Sequence, residues 1–408
     1  MNTDYLKEKI RKYKKIYSLL KSIKIIIVGT SNLISLFFHH YYKKNVIYHF
    51  GVFGNKINVG DNVLFNKLEN ITDKILQKEQ IWVHRNLHLG KVTFFEIFLI
   101  NKISKAVVVG GHGLLMVDTN ENKNSGWQFN ISIKNLKKIE VPIIVTAIGY
   151  NRFRNQKDFI PEFKPHISWL VENSLHFGLR NFGSINALKR YVPERLHNKL
   201  IFQPCPTTMI ASFYPEIIKK NDLTSRKIGI CIAFDRYENR FGNNPNTIFE
   251  ILFSYVEKIK KEGIDIQFFT HNKNDLKNEI ATEIFKKRGY TIFPLYELNE
   301  NKVYDFYQNF ILIAGMRGHS LMIPYGLLIP VISLTTQDKQ KWFIESIDHP
   351  EWNIEVESDF CENLYKQTNN ILLNLEQIKK NIFLKQSEFV EISNRNINYI
   401  SSKIVKTK

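Results

Sequence analysis

Residues 311–334 read ILIAGMRGHSLMIPYGLLIPVISL, two apolar runs with Arg317 and His319 set two apart between them. Buried strands and helices avoid such side chains unless something pairs with them, because an uncompensated buried charge is costly. A strand-to-helix junction resolves the conflict. ILIA is then a strand, Gly315 frees the turn, and HSLMIPYG opens a helix whose first-turn N–H groups point at whatever Arg317 holds. IPVISL is the next strand.

The same grammar extends over the chain. VIYHFGVF, IWVH, AVVVGG, PIIVTAIG, SLHFGLR and LIFQP are followed by IGICIAF, DIQFFT, ILIAGM and IPVISL, with crossover-sized segments between them. Continuous Val, Ile and Phe runs of this length predict parallel strands buried on both faces, and hence a doubly wound α/β fold. With 408 residues the chain exceeds a comfortable single domain. The segment QPCPTTMIASFYPEIIKKNDLTSRK places a hinge at residues 204–226. The expected organisation is a basic arm over 1–45, Rossmann-like domains over 46–205 and 206–361 facing a cleft, and a helical tail over 362–408.

Composition narrows the chemistry. Lys and Arg number 57 against 39 acids, a net charge of +18, which draws anions such as nucleic acid, lipid headgroups or phosphorylated substrates. A solvated Lys- and Asn-rich surface accounts for such a charge equally well. Nucleic acid is not expected as a partner, since no RNP pattern, zinc-finger spacing or basic zipper occurs. The three cysteines lie far apart without metal-type spacing, so neither a disulfide framework nor a metal site is expected, and a reducing cytoplasm fits. In the arm, IIIVGTSNLISLFF is too short to span a bilayer as a helix. The basic, amphipathic part before it suits peripheral binding to an anionic membrane surface, or packing on its own domain.

Candidate site residues lie where open α/β sheets bind ligands, at the C-terminal ends of strands. In FGVFGNKINVGDNVLF, Gly51, Gly54 and Gly60 allow tight turns, while Asn58 and Asp61 precede an apolar helix. Asp61 is either a helix cap or a catalytic carboxylate facing the cleft. In VVVGGHGLL, Gly110, Gly111 and Gly113 let backbone N–H groups approach an anion or sugar, and His112 is a ligand contact or a local hydrogen-bonding group. In SLHFGLRNFGSINAL, Arg180 closes a strand and Ser184 opens a helix, so the guanidinium is placed to fork a carboxylate or phosphate, or to pair with a loop acid. His319, at a helix N-terminus, is disfavoured as imidazolium until a bound anion restores its charge. It is then a general acid; the alternative is a structural hydrogen bond.

In the order GNKINVGDNVL, VVVGGHGLL, VTAIGY, GLRNFGSINAL and GMRGHSLMIPYGLLIPVISLTTQDKQKWF, these segments resemble the polysaccharide pyruvyl transferase family over about residues 48–345. The last segment is the most specific, through its R-x-H turn, its strand entry and the following Asp338-Lys339. Two departures stand out: Asn181 where the family commonly has Asp, and a shorter glycine run. The resemblance implies a glycosyltransferase-B-like pair of domains that moves pyruvyl from phosphoenolpyruvate to a sugar hydroxyl pair in cell-surface polysaccharide biosynthesis. It implies donor binding by Arg180, Arg317, Ser184 and Ser320, with His319 near the enol carbon and Asp61 accepting the hydroxyl proton. Asn58, Gly60, Gly110, Gly111, His112, Gly113, Gly315 and Lys339 become backbone, anion or acceptor contacts. No cofactor or metal is expected beyond the co-substrate phosphoenolpyruvate, and the acceptor is expected to be a lipid-linked or nucleotide-linked glycan. The alternatives are a nucleotide-sugar glycosyltransferase of the same architecture and a non-catalytic glycan- or membrane-binding protein.

Overall fold

The structure is a computed structural model that describes residues 46–53, 58–219, 226–242, 245–357 and 360–406. The basic arm of residues 1–45 and Gly54 lie outside the described residues, as does part of the hinge. Among the described residues no helix is long and apolar enough to cross a membrane.

Two six-stranded parallel sheets form the frame. The first joins β1 (Val46–Gly51), β2 (Ile81–Asn86), β3 (Ser104–Gly110), β4 (Ile143–Ile148), β5 (His176–Leu179) and β6 (Leu200–Phe202) in the order β2-β1-β3-β4-β5-β6. The second joins β7 (Lys227–Cys231), β8 (Asp265–Thr270), β9 (Ile292–Pro294), β10 (Leu312–Gly315), β11 (Val331–Thr335) and β12 (Asn353–Glu355) in the order β12-β11-β10-β7-β8-β9. The doubly wound expectation holds in both domains. Central strands such as β3 and β10 are buried nearly throughout, which is why their sequences show no polar alternation. The ten apolar runs all contribute strands. The two strands not anticipated, β9 and β12, have three residues each.

The principal helices are α1 (Val59–Leu76), α2 (Phe94–Ile103), α3 (Phe163–Asn173), α4 (Phe182–Lys189), α5 (Pro245–Lys261), α6 (Glu279–Lys287), α7 (Glu300–Tyr307), α8 (Gly318–Gly326), α9 (Asp338–Ser346), α10 (Phe360–Leu373) and α11 (Leu375–Lys406). Helix α1 belongs to the first domain by sequence, yet Val59, Val63 and Leu64 in its opening turns pack into the core of the second. The Val59 N–H also donates to His271 O at 3.1 Å. Helix α11 runs back over the boundary. Its Gln386 donates to Tyr325 O at 2.8 Å in the second domain, and its Asn396 to Phe202 O at 3.0 Å in the first. Further on, Ile400 is buried beside Ile47, Leu68 and Val108. The tail is thus a strap between domains.

Candidate functional site

Neighbouring strands leave in opposite directions at β1/β3 in one sheet and at β7/β10 in the other, and both reversals open onto one interdomain cavity of about 610 Å³. Asn58 and Asp61 reach it after β1, His112 and Gly113 after β3, Asp235 and Arg236 after β7, and Arg317 and His319 after β10.

On the first-domain wall, Asn58 is the cap of α1, accepting from the Gly60 N–H at 3.1 Å. Asp61 is therefore not the cap. It stands in the first turn with about a quarter of its side chain exposed, and its Oδ1 lies 3.2 Å from His112 Nδ1. His112 adopts φ 69°, a left-handed conformation that costs a non-glycine residue free energy. That conformation turns the imidazole toward Asp61, with Nε2 buried and unpartnered. Burial works to raise the Asp61 pKa, but the His112 hydrogen bond and the His112, His319 and Lys339 charges bring it down to about 2. Asp61 is an anion at neutral pH. Gly60 has a steric role, since a Cβ there would lie 2.5 Å from His319 Cβ. Of the glycine run, Gly113 lines the cavity against Asn151, whereas Gly110 and Gly111 pack on Thr146 and Leu64 behind it.

On the second-domain wall the expectation for Arg317 requires correction. Its guanidinium is already engaged: Nη2 donates to Asp235 Oδ1 at 2.7 Å and Asp275 Oδ1 at 2.6 Å, and Nε to Asp275 Oδ2 at 3.2 Å. Against burial, these two carboxylates hold the group firmly protonated. Arg317 binds the loops after β7, β8 and β10 to one another, and only Nη1 makes no hydrogen bond among the described residues. Gly315 and Ser320 are also structural. A Cβ at Gly315 would meet Ser320 Oγ, and that hydroxyl donates to Arg317 O at 2.8 Å. Ser184 does not reach the cavity. Its Oγ accepts from the Tyr150 N–H at 3.0 Å, and its own N–H donates to Asn181 Oδ1, which caps α4.

Arg180 is in the opposite state. It is 5 % exposed, no carboxylate among the described residues lies within ion-pair distance, and Nε has no hydrogen-bond partner. Burial lowers its pKa, with Asp61 and Cys205 working the other way. Gly149 of VTAIGY makes room for it: a Cβ there would sit 2.3 Å from Arg180 Nε. Lys339, in the first turn of α9, donates to Asn151 Oδ1 at 2.5 Å and likewise lacks a carboxylate partner among the described residues. Burial, then Arg180, Arg240 and Arg317, depress its pKa well below the ordinary range. His319 faces this cluster, with Nδ1 4.0 Å from Asp61 Oδ1 and Nε2 buried without a partner. Burial and then Arg180 lower its pKa to about 3, so it is neutral in the free protein. An uncompensated buried guanidinium, a lysine whose charged form burial disfavours and two orphaned imidazoles are together suited to an anion, which would satisfy all of them.

Several cavity residues went unnoticed in the sequence. Asp235, Arg236 and Arg240 follow IGICIAF, where the strand-end rule applied to β7 would have found them. Arg236 clasps Asp118 across the domains, Nε to Oδ2 at 2.5 Å and Nη2 to Oδ1 at 2.8 Å. Gln337 donates to Asn151 O at 2.7 Å, also across the boundary.

The family model for polysaccharide pyruvyl transferase matches residues 2–338, most of the chain. The chain belongs to this family. Membership makes it a transferase and implies a polysaccharide or other glycan acceptor. No curated protein matches the sequence. Among solved structures, a putative UDP-N-acetylglucosamine 2-epimerase from Listeria monocytogenes superposes with TM-score 0.52 at 14 % identity, covering 90 % of this chain and 98 % of that one. The S. aureus MnaA–UDP structure gives 0.51 at 14 %, covering 88 % and 98 %. At such identities the likeness establishes a shared two-domain architecture. In this pyruvyl transferase family member the cavity lies between those domains.

Proposed function

We propose that the protein transfers the pyruvyl group of phosphoenolpyruvate to a glycan hydroxyl pair as a ketal, with Arg180 and Lys339 receiving the donor's phosphate and carboxylate. The observation that carries this reading is Arg180, a buried guanidinium that lines the cavity without a counter-ion among the described residues. Phosphoenolpyruvate is compact and strongly anionic, and its binding would compensate Arg180 and favour the charged form of Lys339.

The histidines then divide the proton work. Burial and Arg180 outweigh Asp61 and keep His319 neutral in the free protein, and the donor's charge raises its proton affinity so that it can protonate the enol methylene. The adjacent carbon becomes electrophilic and a sugar hydroxyl adds, its proton passing to His112, which Asp61 orients and whose imidazolium it stabilises. Phosphate departs as its C–O bond breaks, and the second hydroxyl closes the ketal with loss of its own proton. Asp61, with a pKa of about 2, suits the orienting role better than that of sole base.

The test is mass spectrometry of lipid-linked and nucleotide-linked glycans incubated with the protein and phosphoenolpyruvate. A pyruvyl mass gain with release of inorganic phosphate, absent in Arg180→Met, is expected. Transfer of a sugar from a nucleotide sugar, with phosphoenolpyruvate ignored, would instead establish the glycosyltransferase reading. Association of the arm with an anionic membrane surface, which would bring the protein to a lipid-linked acceptor, belongs to the same proposal. Vesicle sedimentation with and without residues 1–24 tests it.

A further inference from the structure

Outside the cavity, three potential metal ligands from separate elements converge on one point. β1 and β2 are adjacent parallel strands whose register pairs His49 directly with His84, so both imidazoles project from the same face. Helix α1 packs over that face and supplies Glu69. His49 Nδ1 lies 2.9 Å from Glu69 Oε1, His84 Nδ1 lies 3.2 Å from the same oxygen, and all three ligand atoms fall within 4.8 Å of one another. We propose that His49, Glu69 and His84 bind a divalent transition-metal ion of the zinc type.

Two imidazoles and one carboxylate match the preferences of such an ion and not those of magnesium or calcium, which favour oxygen. Ligand atoms about 2.0–2.1 Å from a tetrahedral zinc ion stand ~3.3 Å apart, so two edges of the triangle are already near the required length. Aromatic rings fix the ligands. His49 stacks on Phe65 with centroids 4.9 Å apart and planes 2° apart, and Phe53 lies edge-on to His84. His49 is fully buried, whereas the His84 side chain is 35 % exposed. Both rings would ligate through Nδ1, the atom each already turns toward Glu69 Oε1. The ion would tie α1 to β1 and β2. It would thereby fix the helix that presents Asp61 about two turns earlier.

The sequence gives no sign of this site, because the ligands are 20 and 15 residues apart and carry no cysteine. The experiment titrates the chelator-treated, untagged full-length protein with Zn²⁺ by calorimetry, and with Co²⁺ while following its visible absorption. One ion per chain is expected, with a Tm that rises on loading. Glu69→Gln, which retains hydrogen-bonding capacity, and His84→Ala, at a partly exposed position, should each lower affinity by more than the roughly 10- to 100-fold that an outer partner of a ligand contributes. Absence of binding in the folded wild type, or binding unchanged in both variants, would overturn the proposal and leave the three side chains as a hydrogen-bonded cluster.

Discussion

Arg180 and Arg317 are both buried guanidinium groups at strand ends, yet their electrostatic surroundings are opposite. Arg317 is paired with Asp235 and Asp275. Asp235 keeps Arg236 and Arg240, but Arg317→Met leaves the buried Asp275 without an ion-pair partner among the described residues and should cost about 3–5 kcal/mol of stability, read from urea unfolding. Arg180→Met removes an uncompensated cation and should leave stability unchanged or raised. The opposite ranking would show that Arg180 has a structural partner. His319 gives a second contrast at this scale. Its neutral state in the free protein predicts proton uptake when phosphoenolpyruvate binds, measurable as calorimetric heats that vary with the ionisation enthalpy of the buffer. His319→Gln should reduce that uptake, leaving any share due to Lys339, retain most donor affinity and lower turnover by roughly 100-fold or more. Wild-type turnover in His319→Gln would remove it from the chemistry.

At the scale of elements, the cavity wall depends on how closely α1 approaches α8. Gly60 meets the Cβ of His319 at a distance no Cβ tolerates, so Gly60→Ala must separate the helices, because rotating the imidazole leaves that atom in place. A loss of about 1–3 kcal/mol is expected from such overpacking, together with turnover that falls further than donor affinity, because Asp61 and His319 move apart while Arg180 stays in place. Turnover and Tm both at wild-type values would contradict this view of the junction. How far the elements could be read in advance follows from the same packing. Strand runs were legible where both faces are buried, as in AVVVGG or ILIAGM. They were not legible in IFP and NIE, edge strands of three residues with a proline or polar ends. The site was legible one junction at a time, since strand ends in α/β sheets point to it. Pairings between junctions were hidden. Nothing in MRGHS tells that Arg317 is claimed by acids 42 and 82 residues away, or that Arg180 has no such partner among the described residues.

Across the whole molecule, acid should be destabilising through buried histidines. Burial lowers the pKa of both His166 and His176 to about 4, and that of His319 to about 3. His166 accepts from Trp127 Nε1 at 3.1 Å, a bond that protonation would forfeit. In the unfolded chain these groups titrate near ~6.5. Between about pH 6.5 and 4 the unfolded state binds more protons, so their contribution is complete above 6.5 and is lost as pH falls. Each of the two structural histidines accounts for roughly 3 kcal/mol over that range. Urea melts from pH 7.5 to 4.5 should show stability declining by several kcal/mol, and a flat profile would contradict the burial described. The strap α11 adds a second expectation: truncation after residue 392 removes Asn396 and Ile400 and should lower Tm.

The cavity's character as an anion receptor centred on Arg180 is tested most directly by calorimetric titration of phosphoenolpyruvate into the wild type and Arg180→Met at low and moderate salt. The account predicts saturable one-to-one binding by the wild type that weakens with salt. It also predicts a loss of about 1.5–3 kcal/mol or more in Arg180→Met, the scale of a charge-assisted hydrogen bond. Equal affinity in the two proteins, or no binding of phosphoenolpyruvate by the folded wild type, would contradict it.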